Sequence, residues 1–187
     1  MAIERIIESR RIYHGSVVSL RVDTVRLEPK GTEGFREVVE HAPGVTILPV
    51  DANGMVILVR QFRTPAQQVL LECPAGTMEE GETPEQAVHR ELLEETGYRA
   101  RRLVRLGGFW MSPGFCTEFM HAYLALGLEP GPAQQEADED IQLERVPASS
   151  IPDLVRSGQV QDGKSIATLL MAHCLYKQEV EGASALP

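Results

Sequence analysis

The stretch from Gly76 to Tyr98 constrains the chain most, because it dictates a loop, then a helix, then a stop. Thr83 is a good N-cap, Pro84 stands at the first helical position, and Gln86 completes a capping box with Thr83. Gly97 is placed to end the helix in a left-handed conformation. The spacing therefore predicts a helix from Pro84 to Thr96. On a helical wheel Glu91, Glu94 and Glu95 fall on one arc of about 100°, with Val88 and Leu92 beside it. Like charges at Glu91 and Glu95 cost roughly 0.2–0.5 kcal/mol in an isolated helix. Crowded carboxylates oppose one another's ionisation unless a cation intervenes. A hard divalent cation suits such a cluster, and a solvated acidic face is the plainer alternative.

The 187-residue chain is long enough for one good core with a small appended unit. A net charge of −9 argues against nucleic acid or an anionic membrane as partner and fits a site that gathers cations. Cys73, Cys116 and Cys174 give neither a disulfide framework nor a zinc pattern, and each is expected to be a small core residue. The five histidines form no ligand spacing. Charges at Glu4 and Arg5 leave no room for a signal-peptide core, and no apolar run approaches the roughly 18 residues of a membrane helix. A cytoplasmic location is expected.

Taken in order, residues 4–14, 16–27 and 35–41 read as three antiparallel strands, with a turn cluster at 28–34. The apolar alternation Val18, Leu20, Val22 shifts by one residue to Val25 and Leu27, which suggests a bulge in the second strand. Pro43-Gly44 closes this small sheet, so the expected division is residues 1–43 and residues 44–187. Such a sheet has too little core to stand alone and needs a cover. Val45–Val50 and Met55–Gln61 read as strands joined by an Asn53-Gly54 hairpin turn. Further strands are expected at 67–73, 99–110, 118–128 and 141–146. The arginines at 99, 101, 102 and 105 read as a solvated strand face. A polar loop is expected at 129–140 and helices at 149–157 and 163–178, the last burying Ile166, Leu169, Leu170, His173 and Leu175. Strands at the centre with one helix after them and helices at the end give a mixed α/β (α+β) fold.

Gly76, five residues, Glu82, seven residues, Arg90-Glu91, then Glu94-Glu95 and Gly97 resembles the Nudix box. A chance match is on the order of 10⁻⁸ per start position. Tyr98 stands where an aliphatic residue is more usual. The resemblance implies an α/β/α sandwich around a mixed sheet, here preceded by a small antiparallel sheet. It also implies a Mg²⁺-dependent hydrolase, with Mn²⁺ or another divalent cation able to substitute. By the same resemblance Ala75 (through its carbonyl), Glu91, Glu95 and in part Glu94 are metal ligands. Arg90 would hold the loop through a box carboxylate, and Glu82 would hydrogen-bond within it.

Ser112-Pro113-Gly114, with Pro113 16 residues past Gly97, is similar to the ADP-ribose pyrophosphatase branch of that family. Pro113 and Gly114 would then line the substrate and Glu118 would contact its terminal ribose side. Arg63, in Gln61-Phe62-Arg63, resembles a phosphate contact, and Arg36 and Glu40 are weaker substrate candidates. Trp110 and Phe35 are candidates for stacking on a base, against the usual placement of aromatics in a core. In the acidic run 136–140, Glu139 would by the same resemblance ligate metal or activate water; Ala137 stands where a second acid is more usual, which leaves Glu136 and Asp138 as alternatives. The implied activity is cleavage of ADP-ribose to AMP and ribose 5-phosphate. The alternatives are another nucleoside diphosphate sugar such as GDP-mannose, or a non-catalytic Nudix-fold regulator. The resemblance also implies a homodimer that exchanges the N-terminal sheet.

Overall fold

The computed structural model describes residues 3–131 and 141–181. Contacts divide the chain into two units, Met1–Pro43 with Trp110–Phe119, and Gly44–Phe109 with Met120–Pro187.

The first unit is an antiparallel sheet of β1 (Ile3–His14), β2 (Val18–Glu28) and β3 (Thr32–His41), in that order. The bulge expected in β2 is not there. The β2–β3 register runs unbroken from Val18↔His41 to Leu27↔Thr32. The irregularities lie in β1, between Ile6 and Glu8 and between Arg11 and Tyr13. The apolar pattern misleads because the covered face of β2 carries two polar residues, Ser19 and Asp23, buried beside Val25. Asp23 is satisfied there by the Ser9 hydroxyl at 2.7 Å and Arg21 Nε at 3.0 Å. The Ser112–Cys116 turn docks on β3, where Val39 N–H donates to Phe115 O (2.7 Å) and Thr117 N–H donates to Val39 O (2.9 Å).

The second unit follows from β4 (Gly44–Pro49), whose six residues are all buried. A strand covered on both faces needs helices on both sides. Val45 and Ile47 pack with Ala87, Val88 and Leu92 of α1 (Pro84–Thr96). Leu48 packs with Leu154 of α2 (Ile151–Arg156) and with Leu169 and Ala172 of α3 (Gly163–Leu175). Burying one such leucine contributes about 1.5–3 kcal/mol. β4 sits in a mixed sheet, parallel to β9 (Phe119–Pro130) and antiparallel to β7 (Ala75–Thr77), with β8 (Tyr98–Trp110) beyond β9. A second sheet takes β10 (Gln142–Pro147), β5 (Met55–Arg63) and β6 (Gln68–Glu72) in that order. The result is an α/β/α sandwich.

Several expectations change. The Asn53-Gly54 turn forms, with Asp51 Oδ1 accepting from Asn53 N–H (2.8 Å) and Met55 N–H (3.0 Å). Yet β4 and β5 form no ladder beyond the isolated Val50↔Val56 bridge and run into different sheets, because β4 finds its long partner in β9. β7 forms inside the expected loop by pairing with β4. The last helix breaks at Tyr176, and α4 (Lys177–Glu181) follows it. Its buried side is Ser165, Thr168, Leu169 and Ala172, whereas Leu175 is 68% exposed. The two hydroxyl residues are accepted inside because each has a partner, Thr168 on Thr46 (3.1 Å) and Ser165 on Asp162 (2.6 Å). Of the cysteines only Cys73 is buried; Cys116 is partly covered and Cys174 exposed. Trp110 and Phe35 are exposed rather than core. Among the described residues no helix is long and apolar enough to cross a membrane.

Candidate active site

Both ends of α1 are fixed by its own sequence. Gln86 N–H donates to Thr83 Oγ1 (3.3 Å), Thr83 N–H donates to Gln86 Oε1 (2.8 Å), and Gly97, at φ 71°, donates its N–H to Leu93 O. The caps set the helix phase, and the phase buries Val88 and Leu92 completely. Glu91 and Glu95, one turn apart beside them, are drawn to 9% and 4% exposure. Glu95 Oε2 accepts from Ala75 N–H at 3.1 Å. Glu91 lies so close to β7 that a Cβ on Gly76 would stand 1.8 Å from its Oε1. Gly76 is thus required for close approach of the helix.

Arg90 ties the loop to the helix. Its Nε and Nη2 each lie 3.0 Å from the Glu82 carboxylate, and its Nη1 lies 2.7 Å from Glu91 and 3.1 Å from Glu94. Nη2 also donates to Thr77 O at 3.0 Å. The Glu82 carboxylate is the chief cause of the raised Arg90 pKa; the guanidinium's own partial burial works against it and Glu91 adds to it. In return Arg90 first, and Glu79 N–H as well, hold Glu82 below the usual carboxylate value, with desolvation opposing. A carboxylate with a lowered folded-state pKa contributes stability above its unfolded value, which is lost as pH falls through the folded value. Thermal unfolding followed from pH 7 down to pH 3 should therefore show a loss beginning below about pH 4.5. Arg90→Gln should remove much of that acid-sensitive part.

Arg63, at the end of β5, donates from Nε and Nη2 to the two oxygens of Glu72, both at 2.8 Å. It is also near enough to Glu95 to feel its charge. Glu72 was not singled out in the sequence. The signal was present as one acid directly after the apolar run Val69-Leu70-Leu71.

The sites expected in the first unit are engaged there among themselves. Arg36 grips Glu4, with Nε 3.0 Å from Oε2, and donates to Phe35 O at 2.8 Å. Glu40 takes Arg21 (2.6 Å) and Arg11 (3.0 Å). Glu118 lies 3.9 Å from His41 Nδ1. Arg36, Pro113 and Gly114 line one cavity of about 430 Å³ with Trp110 and Phe115. Glu139 lies outside the described residues.

Among the described residues no three His, Cys, Asp or Glu side chains stand ready-made around a cation point. Arg90 holds Glu91 and Glu94 instead. The donor chemistry nevertheless fits a hard cation. Two buried carboxylates and the Ala75 main chain offer oxygen only, in a cradle that a Cβ at Gly76 would fill. Mg²⁺ and Mn²⁺ accept such a set and complete it with water and phosphate oxygens.

Comparisons agree with this geometry. The NUDIX domain matches residues 40–169. The ADP-ribose pyrophosphatase of Bacillus subtilis is 40% identical over 87% of this chain and 88% of its own. The methanol dehydrogenase activator of Bacillus methanolicus is 34% identical over 87% and 89%. A GDP-mannose pyrophosphatase of Pectobacterium atrosepticum is 35% identical over 76% and 78%. A solved structure described as an ADP compounds hydrolase superposes with TM-score 0.85 over 96% of each chain at 20% identity, a likeness of fold. With the box helix, its buried carboxylates and the matched domain all in place, the chain belongs to the Nudix family.

Proposed function

We propose that this Nudix chain hydrolyses the diphosphate bridge of ADP-ribose to AMP and ribose 5-phosphate, with Mg²⁺ or Mn²⁺ at the box helix. The observation that carries this reading is the similarity, across most of both chains, to the Bacillus subtilis ADP-ribose pyrophosphatase. The GDP-mannose pyrophosphatase relative keeps a second sugar nucleotide as the rival substrate. Product analysis with both compounds tests it.

Glu91, Glu95 and the Ala75 carbonyl, helped by Glu94, would hold the cation. Bound there, a divalent cation neutralises phosphate oxygens and makes water a better nucleophile. The chain's own groups do the rest. Arg90 fixes the loop that presents Ala75. Arg63 offers a guanidinium to a phosphate. Arg36, Glu40, Pro113, Gly114 and Glu118 are assigned to substrate contact, and for Arg36 and Glu40 this requires exchanging present partners for the ligand. Glu139 takes the proton of the attacking water as its oxygen bonds to phosphorus and the bridging P–O bond breaks. Glu139→Gln should then lower kcat by about 10²-fold or more with KM little changed. Glu136→Gln and Asp138→Asn should do much less. A damaging Glu136 or Asp138 variant beside an active Glu139→Gln would move the base to that position.

The first unit is proposed to build a homodimer. All twelve residues of β1 are exposed, and Ile3, Ile6, Ile12, Tyr13 and Phe35 are large apolar groups left open to water. Edges and patches of this kind are normally covered. Sedimentation equilibrium should give a dimer, and a stable active monomer would contradict it.

A further inference from the structure

Glu72 carries the inference, because it is a buried charge with no role in the chemistry above. At the end of β6 it is 1% exposed. A carboxylate so placed needs several partners to stay ionised. Arg63 supplies two, fork to fork, and Lys164 in the first turn of α3 supplies a third, Nζ to Oε2 at 2.5 Å. Burial opposes the charge most strongly, yet the two cations outweigh it and Glu72 sits below the usual carboxylate value. Lys164 Nζ also lies 3.0 Å from Asp162 Oδ2. Asp162 caps α3 by accepting from Ser165 N–H (2.9 Å) and Ser165 Oγ–H (2.6 Å). Ser165 Oγ in turn accepts from Cys73 N–H (2.7 Å), the residue after Glu72. Strands β5 and β6 and the start of α3 are thereby locked around one guanidinium.

The lock leaves one edge of that guanidinium open. Arg63 spends Nε and Nη2 on Glu72, and among the described residues its Nη1 has no partner. Its side chain keeps 35% of its surface exposed, against 15% for Lys164. An arginine paired fork to fork with a carboxylate is electrically neutral and draws an anion weakly. Lys164 changes that balance. It shares Glu72, so the trio of Arg63, Glu72 and Lys164 carries a net positive charge. Lys164 also pairs with Asp162, whose charge reaches Arg63 as that of Glu95 does, so with Lys164 in place the cations match Glu72 and Asp162, and without it carboxylates would outnumber cations around this edge.

We infer that Glu72 and Lys164 are positioning residues for Arg63. Glu72 fixes the plane of the guanidinium, and Lys164 offsets the Glu72 and Asp162 charges so that the open Nη1 edge can receive a phosphate of a nucleoside diphosphate. The inference rests on the proposed phosphate role of Arg63.

The test uses the full chain and inorganic pyrophosphate as probe, with affinity read by calorimetry and folding by thermal unfolding. Lys164→Gln should weaken pyrophosphate binding on the order of tenfold, and Lys164→Arg should restore most of it. In an Arg63→Gln background Lys164→Gln should add nothing, because its effect passes through Arg63. Glu72→Asp keeps the charge but draws the fork away, and it too should weaken binding. This variant stands in if Lys164→Gln fails to unfold cooperatively. With ADP-ribose the same variants should raise KM and leave kcat within about twofold. Wild-type pyrophosphate affinity in Lys164→Gln or Glu72→Asp, or a Lys164 effect that persists without Arg63, overturns the inference. Failure of the wild-type chain to cleave any nucleoside diphosphate sugar overturns the functional reading separately, since the pyrophosphate arm does not depend on turnover.

Discussion

Glu95→Gln should lower turnover by about 10²–10³ in the presence of magnesium, the scale on which loss of one transition-state electrostatic element is felt. The amide keeps the shape of the side chain and one oxygen for Ala75 N–H, a hydrogen bond the structure shows. What it loses is charge, at a position only 4% exposed, where water cannot replace it. The variant should therefore fold, with an unfolding temperature close to that of the parent. Glu94→Gln should cost less, since Glu94 is only half-buried and shares Arg90. A Glu95→Gln enzyme as active as the parent would remove the carboxylate from any metal role.

Gly76→Ala should be nearly as damaging, by a different route. The new Cβ would stand 1.8 Å from Glu91 Oε1 and 1.9 Å from its Cδ. Real carbon contacts are about twice as long, so Glu91 must swing away or α1 must lift off β7. Overpacking of this kind costs about 1–3 kcal/mol of stability. Misplacing a catalytic carboxylate by about 1 Å costs on the order of 10²-fold in rate. Gly81→Ala is the control. Gly81 has φ +81° but nothing within 4 Å of the added Cβ, so the strain is confined to backbone. It should lose about 1 kcal/mol of stability and keep most of its activity. Measuring kcat/KM and unfolding temperature for both separates the two effects; equal activity in the two alanine variants would mean that Glu91 does not depend on the Gly76 cradle.

The box helix was legible to the residue because every determinant of it is local. Its caps, its apolar stripe and its acidic arc all lie within Thr83–Gly97, and the structure returns the same bounds. What lay beyond reach depended on partners distant in sequence. β7 has three residues and exists only because β4 lies beside it. β4 and β5 looked like a hairpin until β9, some seventy residues on, took β4 as its parallel neighbour. The hydropathy of β2 and α3 misled for one shared reason. Asp23 is buried against Ser9 and Arg21, Ser165 against Asp162, and Thr168 against Thr46, so buried polarity is invisible to a pattern that equates inside with apolar. The same blindness hid Glu72 and Lys164, which are 92 positions apart and meet only when α3 docks.

Incubating the purified chain with ADP-ribose and with GDP-mannose, each with and without magnesium, and identifying the products by mass, tests the central claim most directly. The expected result is AMP and ribose 5-phosphate from ADP-ribose, dependent on the cation, with GDP-mannose turned over more slowly. Faster cleavage of GDP-mannose would contradict the assigned substrate, and no cleavage of either compound with the cation present would contradict the assigned chemistry.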